Sequence, residues 1–142
     1  NPIKKTALII GIVLGLGGPL WAAKARNLRR SDAKAAKFNA DADSLILGIQ
    51  QYKEFVGTYP SGNNISIAKA LLGQTDKKIL ILAVRKSDLN DKGEILDPWG
   101  TPLQIYFSHN EVMIRSAGPN RVWEDSAVRF ADDLYRCAPK ER

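Results

Sequence analysis

Residues 6–23 contain no charged side chain, a run of eighteen. A helix of that length spans roughly 27 Å, close to the ~30 Å hydrocarbon core of a bilayer. Lys4 and Lys5 precede the run, and Lys24 and Arg26 follow it. This pattern predicts a short transmembrane segment. A cleavable signal peptide has a shorter apolar core and an A-x-A-like exit. The alternative is a buried helix of a soluble domain, but Gly11, Gly15, Gly17, Gly18 and Pro19 weaken a helix in water. In lipid, glycines instead let neighbouring helices approach closely.

The formal net charge of +6 is local. Lys4 and Lys5 supply +2, and residues 24–37 hold six basic side chains against Asp32, a further +5, which leaves about −1 for the rest. A basic stretch beside a span reads first as a collar on lipid headgroups. Nucleic acid is the other reading, and the lack of aromatic residues among these charges, which could stack bases, argues against it. The single cysteine, Cys137, leaves no intrachain disulfide to form. Cys137 and the single histidine, His109, stand far apart in sequence and are weak grounds for zinc or for nucleophilic catalysis.

Beyond the apolar run, Leu28, Ser31, Ala35, Phe38, Ala42, Leu45, Ile49, Tyr52 and Val56 recur at alternating spacings of three and four. That is one helix face, small and polar at its start and large and apolar at its end. It predicts light packing near Ser31 and firm packing from Phe38. The helix is expected over about residues 6–56, interrupted at Gly17-Gly18-Pro19 and capped by Gly57. Residues 67–72 read as a short helix closed by Gly73. Residues 79–84 suit a strand or a buried helical turn equally, and residues 88–93 are rich in turn formers. Residues 103–107 and 112–116, joined at Ser108-His109-Asn110, read as a β-hairpin. Trp123, Phe130, Leu134 and Tyr135 predict a docked tail. The fold class expected is α+β, a long N-terminal helix packed on a small antiparallel sheet. Residues 1–23 form a hydrophobic segment and residues 24–142 a globular domain that includes the helix's second half.

Four segments carry a resemblance. Gln51-Tyr-Lys-Glu-Phe-Val-Gly-Thr-Tyr-Pro-Ser, Asp97-Pro-Trp-Gly-Thr-Pro, Met113-Ile-Arg-Ser-Ala-Gly-Pro-Asn and Ala131-Asp-Asp-Leu occur in that order. Together they resemble, over about residues 38–135, the major pseudopilins of bacterial type II secretion systems within the type IV pilin-like family. Leu103 stands where that family usually has tyrosine. Its mature chains carry a first-turn glutamate, whereas no acidic residue precedes Asp32 here.

The resemblance implies a pilin-like fold and a structural, non-enzymatic subunit. Copies would polymerise through the N-terminal hydrophobic helix into a pseudopilus-like or type IV pilus-like filament. It implies a bacterial membrane location before assembly, with the globular domain outside the cytoplasm, and a periplasmic or extracellular filament afterwards. The positive-inside rule, applied to the basic residues after the run, points the other way. The expected partners are other copies of the chain, the lipid membrane and secretion or pilus assembly machinery. Leu8, Ile9, Ile12, Leu14, Leu16, Pro19 and Leu20 are the candidate assembly residues. The alternative is a monomeric, single-span accessory protein that presents a pseudopilin-like head for binding. Some family members hold calcium in the loop after the last strand. The matching positions are Asn120, Asp132 and Asp133, with carbonyls near Ser116 and Ala117 and with Glu124 and Asp125 as substitutes. A solvated acidic loop is the plainer reading. Asp88, Asp91 and Glu94 form a second acidic group, expected to be a solvated turn.

Overall fold

The computed structural model describes residues 2–109, 111–125 and 131–138, and for residues 2–19 the backbone alone. Its elements are helix α1 (Pro2–Val56), helix α2 (Asn64–Leu71) and strands β1 (Gln104–Ser108), β2 (Glu111–Ser116) and β3 (Leu134–Cys137). The chain divides into two compact units, Asn1–Ala33 and Lys34–Arg142. The architecture is α+β, as the patterning predicts.

Helix α1 differs from its expected form in one respect. It continues through Gly17-Gly18-Pro19 without a break. A proline removes one backbone donor and crowds one carbonyl, and the turns on either side can still carry the helix. Among the described residues no helix is long and apolar enough to cross a membrane. Most of the uncharged run, including Leu8, Ile9, Ile12, Leu14, Leu16 and Pro19, lies outside the residues whose side chains are described. Of the candidate assembly residues only Leu20 has its side chain described; it is exposed, as are Trp21 and Leu28.

The second unit is built on the α1 face read from the sequence. Ala35 is half-buried (Ser31, also half-buried, belongs to the first unit), while Phe38, Ala42, Leu45, Ile49 and Tyr52 are buried. They join Ile67, Leu71, Trp99, Leu103, Val112 and Ile114 in one core. Gly57 donates back to the Lys53 carbonyl at 2.7 Å and ends the helix. Gly48, by contrast, serves packing. A Cβ there would lie 2.3 Å from the Ala83 Cβ, so only glycine lets residues 81–83 lie so close to the helix.

Helix α2 starts earlier than expected because Asn63 caps it, its side-chain oxygen accepting from Ser66 N at 3.0 Å. Asn64 then ties the helix to distant backbone. Its amide donates to the Ile95 and Leu103 carbonyls at 3.0 and 2.8 Å, and its oxygen accepts from Ile95 N at 2.6 Å. Residues 79–84 are neither strand nor helix. A lone bridge, Leu72 to Leu80, anchors them, with Ile81 and Val84 buried and Leu80 and Leu82 exposed.

The three strands form an antiparallel sheet in the order β1-β2-β3. In β2, Val112, Ile114 and Ser116 are buried, and Met113 and Arg115 point to the other face. Strand β3, unforeseen in the sequence, pairs Tyr135 with Arg115 and Leu134 with Ser116. Arg136 grips Asp43 of α1 through two nitrogens at 2.6 and 2.8 Å. Hydrogen bonding from Arg136 holds the Asp43 carboxyl below the usual carboxylate range. The pair is partly exposed, so it orients β3 more than it stabilises it.

Candidate functional site: an acidic group beside strand β3

Strand β2 ends at Ser116, and its exit is fixed by a buried carboxylate. Asp97 Oδ1 accepts from the backbone N–H groups of Trp99 and Thr101 at 2.9 and 2.8 Å. Its Oδ2 accepts from the Ser116 hydroxyl at 2.6 Å, and Gly118 N donates to that hydroxyl oxygen at 3.1 Å. The Asp97-Pro-Trp-Gly turn is thus fastened to the end of β2. Trp99 is buried in the core.

From that anchor the chain passes Gly118, which brings a second segment into contact. Gly118 has φ +71°, and a Cβ on it would lie 2.2 Å from the Asp132 carbonyl oxygen and 2.9 Å from Asp132 Oδ1. Only glycine satisfies both the backbone conformation and the close approach. Asn120 N donates to Asp132 Oδ2 at 3.2 Å, and Asp132 N donates to Glu124 Oε2 at 2.8 Å. Two short segments on either side of residues 126–130 are therefore laced together ahead of β3.

This lacing gathers Glu124, Asp132 and Asp133, each offering a carboxylate oxygen within 4.8 Å of the other two. Asp133 is almost fully buried, its side chain 2% exposed. Two oxygens in the group, Asp132 Oδ1 and Asp133 Oδ1, are buried and have no hydrogen-bond partner among the described residues. A buried carboxylate oxygen left unpartnered is costly, and a bound cation is one way to satisfy it. A donor set made only of oxygens suits hard cations such as calcium or magnesium.

Arg115 completes the site. Its Nε and Nη2 both reach Asp133 Oδ2, at 2.7 and 2.5 Å, and Nη2 also donates to the Glu124 carbonyl. The guanidinium lies against the rings of Trp123 and Tyr135, 5.1 and 5.4 Å from their centroids. Burial acts to lower the Arg115 pKa. Hydrogen bonds with Asp133 and Tyr106 and the Asp133 charge outweigh it, so the pKa lies above its ordinary value.

The sequence-expected ligand set is only partly assembled. Asp132 and Asp133 lie together with Glu124, one of the expected substitutes. Asn120 turns its side-chain oxygen to Val122 N at 2.8 Å and contributes its backbone N–H instead. Asp125 is outside the group. Asp88, Asp91 and Glu94 form no such group among the described residues. Asp88 Oδ2 accepts from Arg85 N, and Glu94 Oε1 accepts from the Asn90 amide. His109 sits in the β1–β2 turn with φ +50°, and Cys137 is exposed on β3. The role of Arg115 has no signal in residue spacing, since it depends on its cross-strand neighbour Tyr135 and on the path of the tail.

Comparison with protein-family models, curated proteins and solved structures returns no match. The resemblance to the pseudopilins therefore rests on the four sequence segments.

Proposed function

We propose that this protein is a structural subunit that polymerises through its N-terminal hydrophobic helix into a filament of the pseudopilus or type IV pilus kind. The single observation carrying this reading is the course of α1. It runs unbroken from Pro2 to Val56, its core-forming face among the residues with described side chains begins near Ala35 and Phe38, and Leu20 and Trp21 are 78% and 77% exposed. The uncharged residues 6–23 must be removed from water. Lipid does this before assembly, and neighbouring copies of the same helix do it afterwards. The globular domain then lies outside the cytoplasm, with a pilin-like fold. Negative-stain microscopy of material sheared from expressing cells tests the reading. Filaments containing the chain are the expected result. The full chain recovered only from the membrane fraction as a monomer would favour the single-span accessory protein instead.

The acidic group fits this role as a calcium brace for the loop between β2 and β3, which keeps the head rigid outside the cytoplasm. Its fit rests on the all-oxygen donor set and on the two buried, unpartnered oxygens. Glu124, Asp132 and Asp133 would hold the ion, whose charge would offset their mutual repulsion. Calcium at one hundred times its dissociation constant is expected to add about 2.7 kcal/mol to the stability of the wild-type protein. Asp132→Ala should melt alike in calcium and in chelator. Equal melting of the wild type in both conditions would remove the site.

A further inference from the structure

We propose that Arg115 is the positioning residue of the Glu124–Asp132–Asp133 group and sets that group up for a divalent cation. This inference rests on the reading of that group as a cation site. Three carboxylates crowded within 4.8 Å repel one another, and nothing in their own chemistry keeps them together. Arg115 restrains two of them. It binds Asp133 directly, and it holds the Glu124 backbone through the carbonyl. Glu124 N also points to Asp133 Oδ2, at 3.4 Å. All these donors converge on Oδ2, so Asp133 Oδ1 is left buried and, among the described residues, unpartnered, as is Asp132 Oδ1.

The guanidinium is itself restrained. Trp123 and Tyr135 both lie against it, and Tyr135 is brought there by the β2–β3 register, which pairs it with Arg115. A planar fork can stack on a ring and grip a carboxylate at once, which a lysine ammonium cannot do. The charge count agrees. Glu124, Asp132 and Asp133 total −3 and Arg115 brings the site to −2, the charge that one divalent cation neutralises.

Two effects of Arg115 on a cation oppose each other. Its charge repels the ion, and its grip organises the ligands. Arg115→Lys separates them, because it keeps the charge and loses the fork and the stacking. Arg115→Gln removes the repulsion and the two-nitrogen grip together, so any weakening it causes comes from lost positioning.

The test is calcium titration calorimetry on the full chain in detergent, for wild type, Arg115→Lys and Arg115→Gln. Circular dichroism melts in chelator check that each variant folds. Loss of a partner that orients metal ligands typically weakens metal binding about 10–100-fold, and that is the range expected for both variants. The tryptophan emission change at saturating calcium, assigned to Trp123 by its loss in Trp123→Phe, should differ between wild type and Arg115→Lys. Wild-type affinity in Arg115→Lys, or tighter binding in Arg115→Gln, overturns the inference and leaves the cation site standing. Absence of calcium binding by the wild type overturns the cation site and this inference with it. If Arg115→Lys does not fold, Arg115→Gln decides.

Discussion

Asp97→Ala is expected to destabilise the Lys34–Arg142 unit by about 3–4 kcal/mol, as much as deleting a large core side chain. Asp97 is 5% exposed, and its carboxylate takes three hydrogen bonds, from Trp99 N, Thr101 N and the Ser116 hydroxyl. Alanine leaves these donors in a buried place without an acceptor. Each orphaned group costs about 1–3 kcal/mol, with water entering the gap to recover part of the loss. Asp97→Asn keeps one acceptor for the two backbone donors and can donate to the Ser116 oxygen, so it should cost about 1 kcal/mol. Denaturant unfolding of the three proteins measures both values. A wild-type midpoint for Asp97→Ala would show that the turn does not need its carboxylate.

The effect should reach the acidic group as well. Ser116 accepts from Gly118 N, and Gly118 packs directly on Asp132. Loosening Asp97 therefore loosens the backbone that places Asp132. Calcium-dependent stabilisation should shrink in Asp97→Ala together with the stability itself.

Leu14→Asp is expected to abolish filaments while leaving the head folded. Residues 6–23 hold several large aliphatic side chains, Leu8, Ile9, Ile12, Leu14, Leu16 and Leu20 among them. At about 25 cal/mol per Å² their burial contributes on the order of tens of kcal/mol gross, more than a small domain could forgo. In a filament that burial is made by copies of the same helix, so a charge at Leu14 recurs in every subunit. An unpaired charge in an apolar bundle costs several kcal/mol each time it occurs. The head's core begins near Ala35 and Phe38 and should not respond. Microscopy of sheared material reads assembly, membrane fractionation confirms that the variant reaches the bilayer, and circular dichroism reads the head. Filaments of normal appearance and yield built from Leu14→Asp would sink the filament-core reading and leave a plain anchor.

Much of the fold was legible because its signals are local. The α1 face from Phe38 to Tyr52 follows from the helical period, and the hairpin from two apolar segments about a short turn. Gly57 and Gly73 marked the ends of α1 and α2. The limits of local reading are equally specific. Residues 79–84 satisfied two patterns and adopt neither, because Gly48 lets them lie on the helix as an irregular segment. Proline's local cost predicts a break at Gly17-Gly18-Pro19, yet the helix continues through it.

Readable from residue patterns alone were the α+β class, the helical stripe that seeds the core and the hairpin; the candidate cation ligands Asn120, Asp132 and Asp133, with Glu124 and Asp125 as substitutes, came only from the family resemblance. What the tertiary structure decided was the set of partners that no local pattern encodes. Strand β3 exists because β2 offers it an edge and Arg136 meets Asp43, 93 residues away. Asn64 became a staple because Ile95 and Leu103 pass within reach of its amide. Glu124 entered the acidic group in place of Asn120 because Arg115 holds its carbonyl and Asp132 N reaches its carboxylate. Periodicity reports which face of an element is apolar. The partner of a polar side chain is set by chain segments brought together only when that apolar face is buried, and so it becomes visible only in the folded protein.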